Sequence, residues 1–523
     1  MRSQVRTHLS KIIYPVAAVL AFLLAPASAN AQKLLTVAER SDYKETSVNA
    51  QVIEYCQELA KLSPLVRLAE MGTSGEGKKL QMVILADPPI ASAEEAKKSG
   101  KMVLFAMGNI HAGEVDGKEG IMMLMRDLAL AKDRPLLKNF ILVFLPNFNP
   151  DGGDRISLKN RTKQNGPPAV GTRENAKGFD LNRDYVKAET PEVKALIKFF
   201  NEWDPALVID THTTDGLFHA FTITYDGPRH PASDAKLIEY SRDTMLPELG
   251  KMLEKMNGYK ANYYGNFTQG KTAWDPNYPA VPRFGTQYLA LRNRLGILSE
   301  SYVYASYKDR VLASRDFVLA NFEYVAKHKG EIAKLLKDAE ANSSRPKVAL
   351  RHKIMPFGKE ITILSLDGKV SPPAKVKEFV VTYLGRCEPT VSVTRPYAYL
   401  VPDSFPKAIE TLKLHGIKVG SLTEDSKVPV EIYKVDKMVK SARPFQQHNE
   451  MTLEVTPRTE TQTIKAGTAV VYTDQPLGTL AAFILEPQSE DGLGTWNYFD
   501  AGLKQGGDYP VLRVPAEVKL ATK

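Results

Sequence analysis

Across residues 48–330 the chain alternates short, continuous apolar runs with amphipathic stretches. The runs at 102–107, 140–145, 206–209 and 295–298 have few polar interruptions, which predicts strands buried on both faces. Between them, 117–130 and 191–201 carry helical periodicity, the second with Pro191 at an early helical position where its missing N–H does no harm. Residues 308–337 predict one or two closing helices. The alternation predicts an α/β domain whose central sheet is covered on both sides.

The texture changes after Ala339-Glu-Ala-Asn-Ser-Ser-Arg-Pro346, a small, polar, Pro-terminated stretch that reads as a linker. Residues 347–394 and 451–471 alternate apolar with polar and are rich in Thr and Val, as half-buried antiparallel strands are. A helix is expected over 405–416, flanked by short strands at 397–401 and 430–435. The expected organisation is a catalytic α/β unit over 32–338 and a separate β-rich or mixed region over 347–523.

The first 31 residues do not belong to that fold. Arg2, Arg6 and Lys11 precede an apolar stretch at 12–24, and Ala27-Ser28-Ala29 and Ala29-Asn30-Ala31 offer small-residue cleavage sites. This is the pattern of a secretory signal peptide, too short for a spanning helix, and no later stretch is apolar for long enough to span. The expected location is outside the cytoplasm, periplasmic or extracellular. No cysteine stands near the cleavage sites, which argues against a lipid anchor there. Removing the leader leaves 66 basic against 60 acidic residues. That excess is small and dispersed, which argues against a nucleic-acid partner. Two cysteines, Cys56 and Cys387, are too few for a disulfide scaffold. They could pair, although Cys56 lies in a helical pattern that suits burial.

Four polar constellations follow the four apolar runs: His111 with Glu114, Asn149-Pro-Asp-Gly152, Thr211-His212-Thr213, and Glu300. Open α/β sheets bind ligands at the carboxyl ends of their strands, so these segments converge on one edge. His111, Glu114 and His212 supply two imidazoles and a carboxylate, a donor set that suits zinc better than magnesium or calcium. Taken alone, His-x-x-Glu also fits a polar loop with a helix-capping carboxylate, and His212 also fits a hydrogen-bonded core histidine. Glu300 is placed to act as a general base, or else to pair with Arg292 or Arg294. Asn182-Arg183 could clamp a carboxylate and Arg161 could polarise a carbonyl; either arginine also fits a structural role.

The ordered set of Gly72-Thr-Ser-Gly-Glu-Gly77, His111-x-x-Glu114, Asn149-Pro-Asp-Gly152, Asp180-Leu-Asn182-Arg183, His212 and Glu300 resembles the zinc metallocarboxypeptidases of the carboxypeptidase A-like family. The resemblance spans residues 48–330. It implies a mixed, mainly parallel central sheet between helices. It also implies one zinc ion on His111, Glu114 and His212, Glu300 as general base, and Asn182 with Arg183 on the substrate's terminal carboxylate. Arg161 matches the first of two arginines that the family carries after its Asn-Pro-Asp-Gly turn, and Gln164 stands where the second is expected. Tyr278 fits the spacing of the family's tyrosine ahead of the catalytic Glu. The function implied is hydrolysis at the C-termini of peptides or proteins. The alternatives are a zinc amidase acting on cell-wall peptides or acyl-amino acids, and a non-catalytic peptide-binding protein.

Overall fold

The computed structural model describes residues 34–215, 217–342, 346–366 and 375–523. The predicted leader and the middle of the predicted linker lie outside these residues. Among the described residues ten strands are formed before the linker: β1 (Val66–Thr73), β2 (Lys79–Leu85), β3 (Met102–Gly108), β4 (Phe140–Leu145), β5 (Leu207–Thr213), β6 (Ile223–Asp226), β7 (Ala261–Tyr263), β8 (Asn266–Phe267), β9 (Ala273–Asp275) and β10 (Leu295–Ser301). Eight of them make one sheet in the order β1-β2-β4-β3-β5-β10-β6-β7. The centre, β4-β3-β5-β10, is parallel throughout, whereas β1, β2 and β6 join antiparallel. The sheet is therefore mixed and mainly parallel, as expected.

Alternation along the strands divides two cores. Val103, Phe105 and Met107 of β3 and Ile141, Val143 and Leu145 of β4 face one core; Leu104, Ala106, Leu142 and Phe144 face the other. The helices Asp116–Leu130 and Tyr307–Lys327 fill the second core, and Pro191–Trp203 fills the first. The last of these starts with Pro191 behind Thr190, whose hydroxyl accepts the Val193 N–H, a capped entry that fixes where the helix begins. Gly117 lets the helix Asp116–Leu130 sit directly on β5. A Cβ there would stand 1.9 Å from Thr211 Oγ1, which is itself held by donating to the Met107 carbonyl. Gly117→Ala is expected to destabilise the protein by about 3 kcal/mol through overpacking. Thermal or urea unfolding would measure it, and a loss below about 1 kcal/mol would refute the account.

After the linker come β11 (Lys347–Met355), β12 (Glu360–Leu366), β13 (Val376–Tyr383) and β14 (Arg386–Thr394). They are followed by β15 (Ala398–Val401), β16 (Gly420–Ser421), β17 (Ser426–Lys440), β18 (Met451–Ile464), β19 (Ala469–Tyr472) and β20 (Leu512–Val514). The expected helix appears as Pro406–Leu414. This region is mixed and β-rich, but it is not set apart from the first. β13 pairs with β9, and the first core continues through Val348, Leu350 and Trp496 into the wholly buried helix Gly478–Leu485. The reason is apolar area: the outer side of the layer formed by Pro191–Trp203 is covered by the C-terminal region instead of by solvent. Cys56 is buried as expected, and both cysteines are free.

Candidate active site

The chain leaves β3 at Asn109, a left-handed residue (φ 65°) whose amide donates to Asn147 Oδ1 at 2.7 Å. Asparagine tolerates that conformation better than most side chains. The turn delivers His111 and Glu114 to the sheet edge just before the helix Asp116–Leu130. Gly113 is required between them, because a Cβ would meet Arg161 Cδ and the Gly171 carbonyl at 2.8 Å each. β5 runs further than its apolar run suggested, so His212 lies on the strand itself, paired in register with Glu300 on β10.

His111, Glu114 and His212 meet. The two Nδ1 atoms are 3.1 Å apart, His212 Nδ1 is 3.0 Å from Glu114 Oε2, and His111 Nδ1 is 3.2 Å from Glu114 Oε1. All three side chains are almost completely buried. Two nitrogens on a tetrahedral ion at about 2.0–2.1 Å stand roughly 3.4 Å apart, so this spacing fits a zinc ion. The outward nitrogens support the same reading: Asp180 Oδ1 lies 3.0 Å from His111 Nε2, and Asp210 Oδ2 lies 3.0 Å from His212 Nε2. Asp180, hydrogen-bonded to His111 Nε2, holds the proton there and leaves Nδ1 as the electron-rich face, as metal-binding histidines require, and Asp210 stands at ion-pair distance behind His212.

A second group, His230, His352 and Glu490, carries the same donor types, but its His230 Nδ1 is already occupied. The Ala232 N–H donates to His230 Nδ1 at 3.1 Å, which leaves the proton on Nε2, the atom facing Glu490 Oε1. Burial opposes charge on His352, yet Cys387 and Glu490 hold it up at about 9. His352 Nδ1 lies 2.5 Å from Glu490 Oε1. This cluster is a charged clamp between the two regions of the chain rather than a copy of the first site.

The two acidic side chains at the centre are pushed in opposite directions. Burial works against ionisation of Glu114, but His111 and Arg161 hold its carboxyl well below the usual range. Glu300 is raised to about 8, first by burial and then by the Glu114 and Asp215 carboxylates, with His212 opposing. A divalent cation between the ligands would draw it down again. Opposed shifts in neighbouring carboxylates mark a division of roles. Arg292 and Arg294, the alternative partners of Glu300, are engaged elsewhere: Arg292 with Asn201 and the His415 carbonyl, Arg294 with Asp204 and Glu340.

Arg161 is brought to the site but not in the expected posture. Its guanidinium is spent on Glu114 Oε1, the Thr213 and Thr214 carbonyls and Gln164 Oε1, all at 2.7–2.9 Å. With its donors so committed, it fixes the Glu114 carboxylate and has little left for a substrate carbonyl. Gln164 serves that arrangement. The arginine that sequence reasoning missed is Arg173. It lies 3.3 Å from Glu114 Oε1 and 2.9 Å from Asp180 Oδ2, with a third of its side chain exposed. Asp180 thereby joins His111, Arg173 and, at 3.8 Å, Arg183.

Asn182 and Arg183 stand together beside this group. Asn182 Oδ1 accepts the Gly285 N–H at 3.0 Å, and the Arg183 guanidinium lies 4.0 Å from the centre of the Phe284 ring. Tyr278 is not placed as a mobile hydroxyl. Its OH donates to Asp226 Oδ2 at 2.5 Å and its ring lies against Arg229. Tyr264 is the tyrosine whose phenol feels the centre: burial raises it, followed by Glu300, Asp215, Tyr278 and Glu114. The Asn149-Pro-Asp-Gly152 segment forms a short helical turn capped by Asn149, tighter than the simple turn expected.

Residues 52–284 match the zinc carboxypeptidase family. Carboxypeptidase 2 of Trichophyton rubrum is 21% identical over 487 residues, covering 88% of this chain and 85% of that protein. Carboxypeptidase D of Mus musculus is 30% identical over 158 residues, 25% of this chain and 12% of its own. Among solved structures, a metallo-carboxypeptidase from Burkholderia cenocepacia is similar at 18% identity with a TM-score of 0.40, covering 53% of this chain and 68% of that one. Residues 52–284 are thus those of a zinc carboxypeptidase domain, and together with the relatives they support an enzyme of the zinc metallocarboxypeptidase class. Glu300 lies beyond the matched residues. Among the described residues, no helix is long and apolar enough to cross a membrane.

Proposed function

We propose that this chain is an exported exopeptidase that binds one zinc ion through His111, Glu114 and His212 and releases residues from peptide C-termini. The observation that carries the reading is the meeting of those three side chains, each imidazole backed by its own carboxylate, in register with Glu300. Zinc at this position supplies Lewis acidity toward water and the scissile carbonyl. Arg183 and Asn182 bind the terminal carboxylate of the peptide and set which bond is presented. Arg173, partly exposed and not exhausted by its acidic partners, faces the negative charge that develops on the carbonyl oxygen. Arg161 keeps Glu114 oriented. Glu300 accepts a proton as the water oxygen attacks the carbonyl carbon, then delivers it to the departing nitrogen as the C–N bond breaks. The leader pattern at residues 1–31 supports export.

The test is a mixed peptide library incubated with the mature protein, with and without a chelator, and read by mass. Single residues should be lost from C-termini, only without chelator, and C-terminally amidated peptides should survive. Internal cleavage, or indifference to the chelator, would overturn the reading. Efficient cleavage of amidated peptides would favour the amidase alternative.

A further inference from the structure

Between β17 and β18, Phe445 and His448 exchange both backbone hydrogen bonds, at 2.7 and 3.0 Å, around Gln446 and Gln447. Both central residues are left-handed, with φ of 48° and 65°. This is the tight hairpin turn that Asn-Gly or Gly-Gly makes without strain. Glutamine gains nothing there, and each residue held in that region costs roughly 1 kcal/mol or more. The local sequence is wrong for the turn it makes, so the side chains must be read for what they reach.

They reach the site. Gln446 Oε1 accepts the Asp180 backbone N–H at 2.9 Å, and Gln447 Nε2 donates to the Lys177 carbonyl at 3.0 Å. His448 Nε2 lies 2.8 Å from Glu189 Oε2. Nearby, Arg283 ties the same module down: it pairs with Glu450 and Asp491 and lies over the Phe445 and Trp496 rings. The held segment, 177–183, carries Asp180, which backs His111, and Asn182-Arg183, which face the substrate. Asp180 heads its own short turn by accepting the Asn182 N–H, so fixing its backbone fixes both. The turn lies more than 150 residues beyond the end of the family match.

We propose that the Gln446–Gln447 turn of the C-terminal region is a positioning element of the zinc site and the carboxylate clamp, accepting backbone strain in order to lock residues 177–183. This rests on the zinc-peptidase reading, and zinc binding by the unaltered protein tests that reading separately. Only the difference between variant and parent tests the turn.

The decisive variant is the double substitution Q446N/Q447G, made in the full chain. It installs the best residues for the turn, while the shorter asparagine side chain falls one methylene short of the Asp180 N–H. The expected result is a Tm equal to or above that of the parent. Zinc binding should weaken about tenfold by chelator competition, at the low end of what losing a group that supports a ligand does. Amide exchange at 177–183 should be faster. Zinc affinity within twofold of the parent would overturn the proposal. If the double variant loses stability, Gln446→Met decides, since it keeps length and Gln447 but removes the acceptor. Tenfold weaker zinc binding at unchanged Tm supports the proposal; unchanged binding, or a parallel fall in Tm, overturns it.

Discussion

Glu300→Gln is expected to bind zinc as the parent does and to lose between about 10² and 10⁴-fold in kcat, the range for removing a positioned general acid–base group. Glutamine keeps the shape of the side chain on β10, so the pairing with His212 and the packing at the strand end survive. It cannot take a proton. Because Glu300 is not among the three converging ligands, elemental analysis should return the parent zinc content and the Tm should hold. KM should change little, since the carboxylate clamp proposed at Asn182 and Arg183 is untouched, so the loss falls on kcat. A variant that retained kcat within tenfold of the parent would remove Glu300 from the mechanism. Arg161→Met should behave differently, because Arg161 orients Glu114. Its primary effect is expected on zinc affinity.

The contrast between Glu300 and Arg161 shows what the sequence could carry. His111, Glu114, His212 and Glu300 were legible because each is delivered within a few residues of a buried strand, and strands in a parallel sheet share a carboxyl edge. The parallel order β4-β3-β5-β10 then converts four separate sequence positions into one place. Arginine roles were not legible in this way. Residues 154–180 have no periodicity, so spacing alone favoured Arg161. Which guanidinium is spent on backbone carbonyls and which stays partly exposed is decided by the path of the loop, through contacts such as Arg161 to Thr213 and Thr214.

The same limit explains Tyr278 and the outer carboxylates. Tyr278 had the right distance along the chain, but its face is set by Asp226 and Arg229, which no local pattern announces. Asp210 ends an apolar run and Asp180 sits in a loop; only the tertiary approach of an imidazole gives either a role. In the C-terminal region the alternating strands and the helix Pro406–Leu414 were readable. Its docking onto the first core was not, because the helix Gly478–Leu485 is apolar all round and such a pattern marks burial without saying against what.

Arg183→Met is expected to reduce kcat/KM on peptides with a free C-terminus by about 10²–10³-fold, the scale of removing one partner of a desolvated charge pair. Methionine preserves the apolar contact over Phe284 now made by the guanidinium, so stability and zinc content should stay near those of the parent. The informative comparison is with C-terminally amidated peptides. These lack the carboxylate and are expected to be poor substrates for the parent, and Arg183→Met should leave them as they were, so the preference for the free acid collapses. Arg183→Lys should recover only part of it, because an ammonium cannot offer the two parallel donors of a guanidinium. Arg173 keeps a second positive charge nearby, paired with Asp180 and Glu114. General electrostatic attraction for an anionic peptide therefore survives the substitution. What disappears is the geometric requirement that the carboxylate belong to the residue next to the scissile bond. An equal loss on free and amidated peptides would instead assign Arg183 to the reacting carbonyl, and no loss on either would place the terminal carboxylate elsewhere in the cleft.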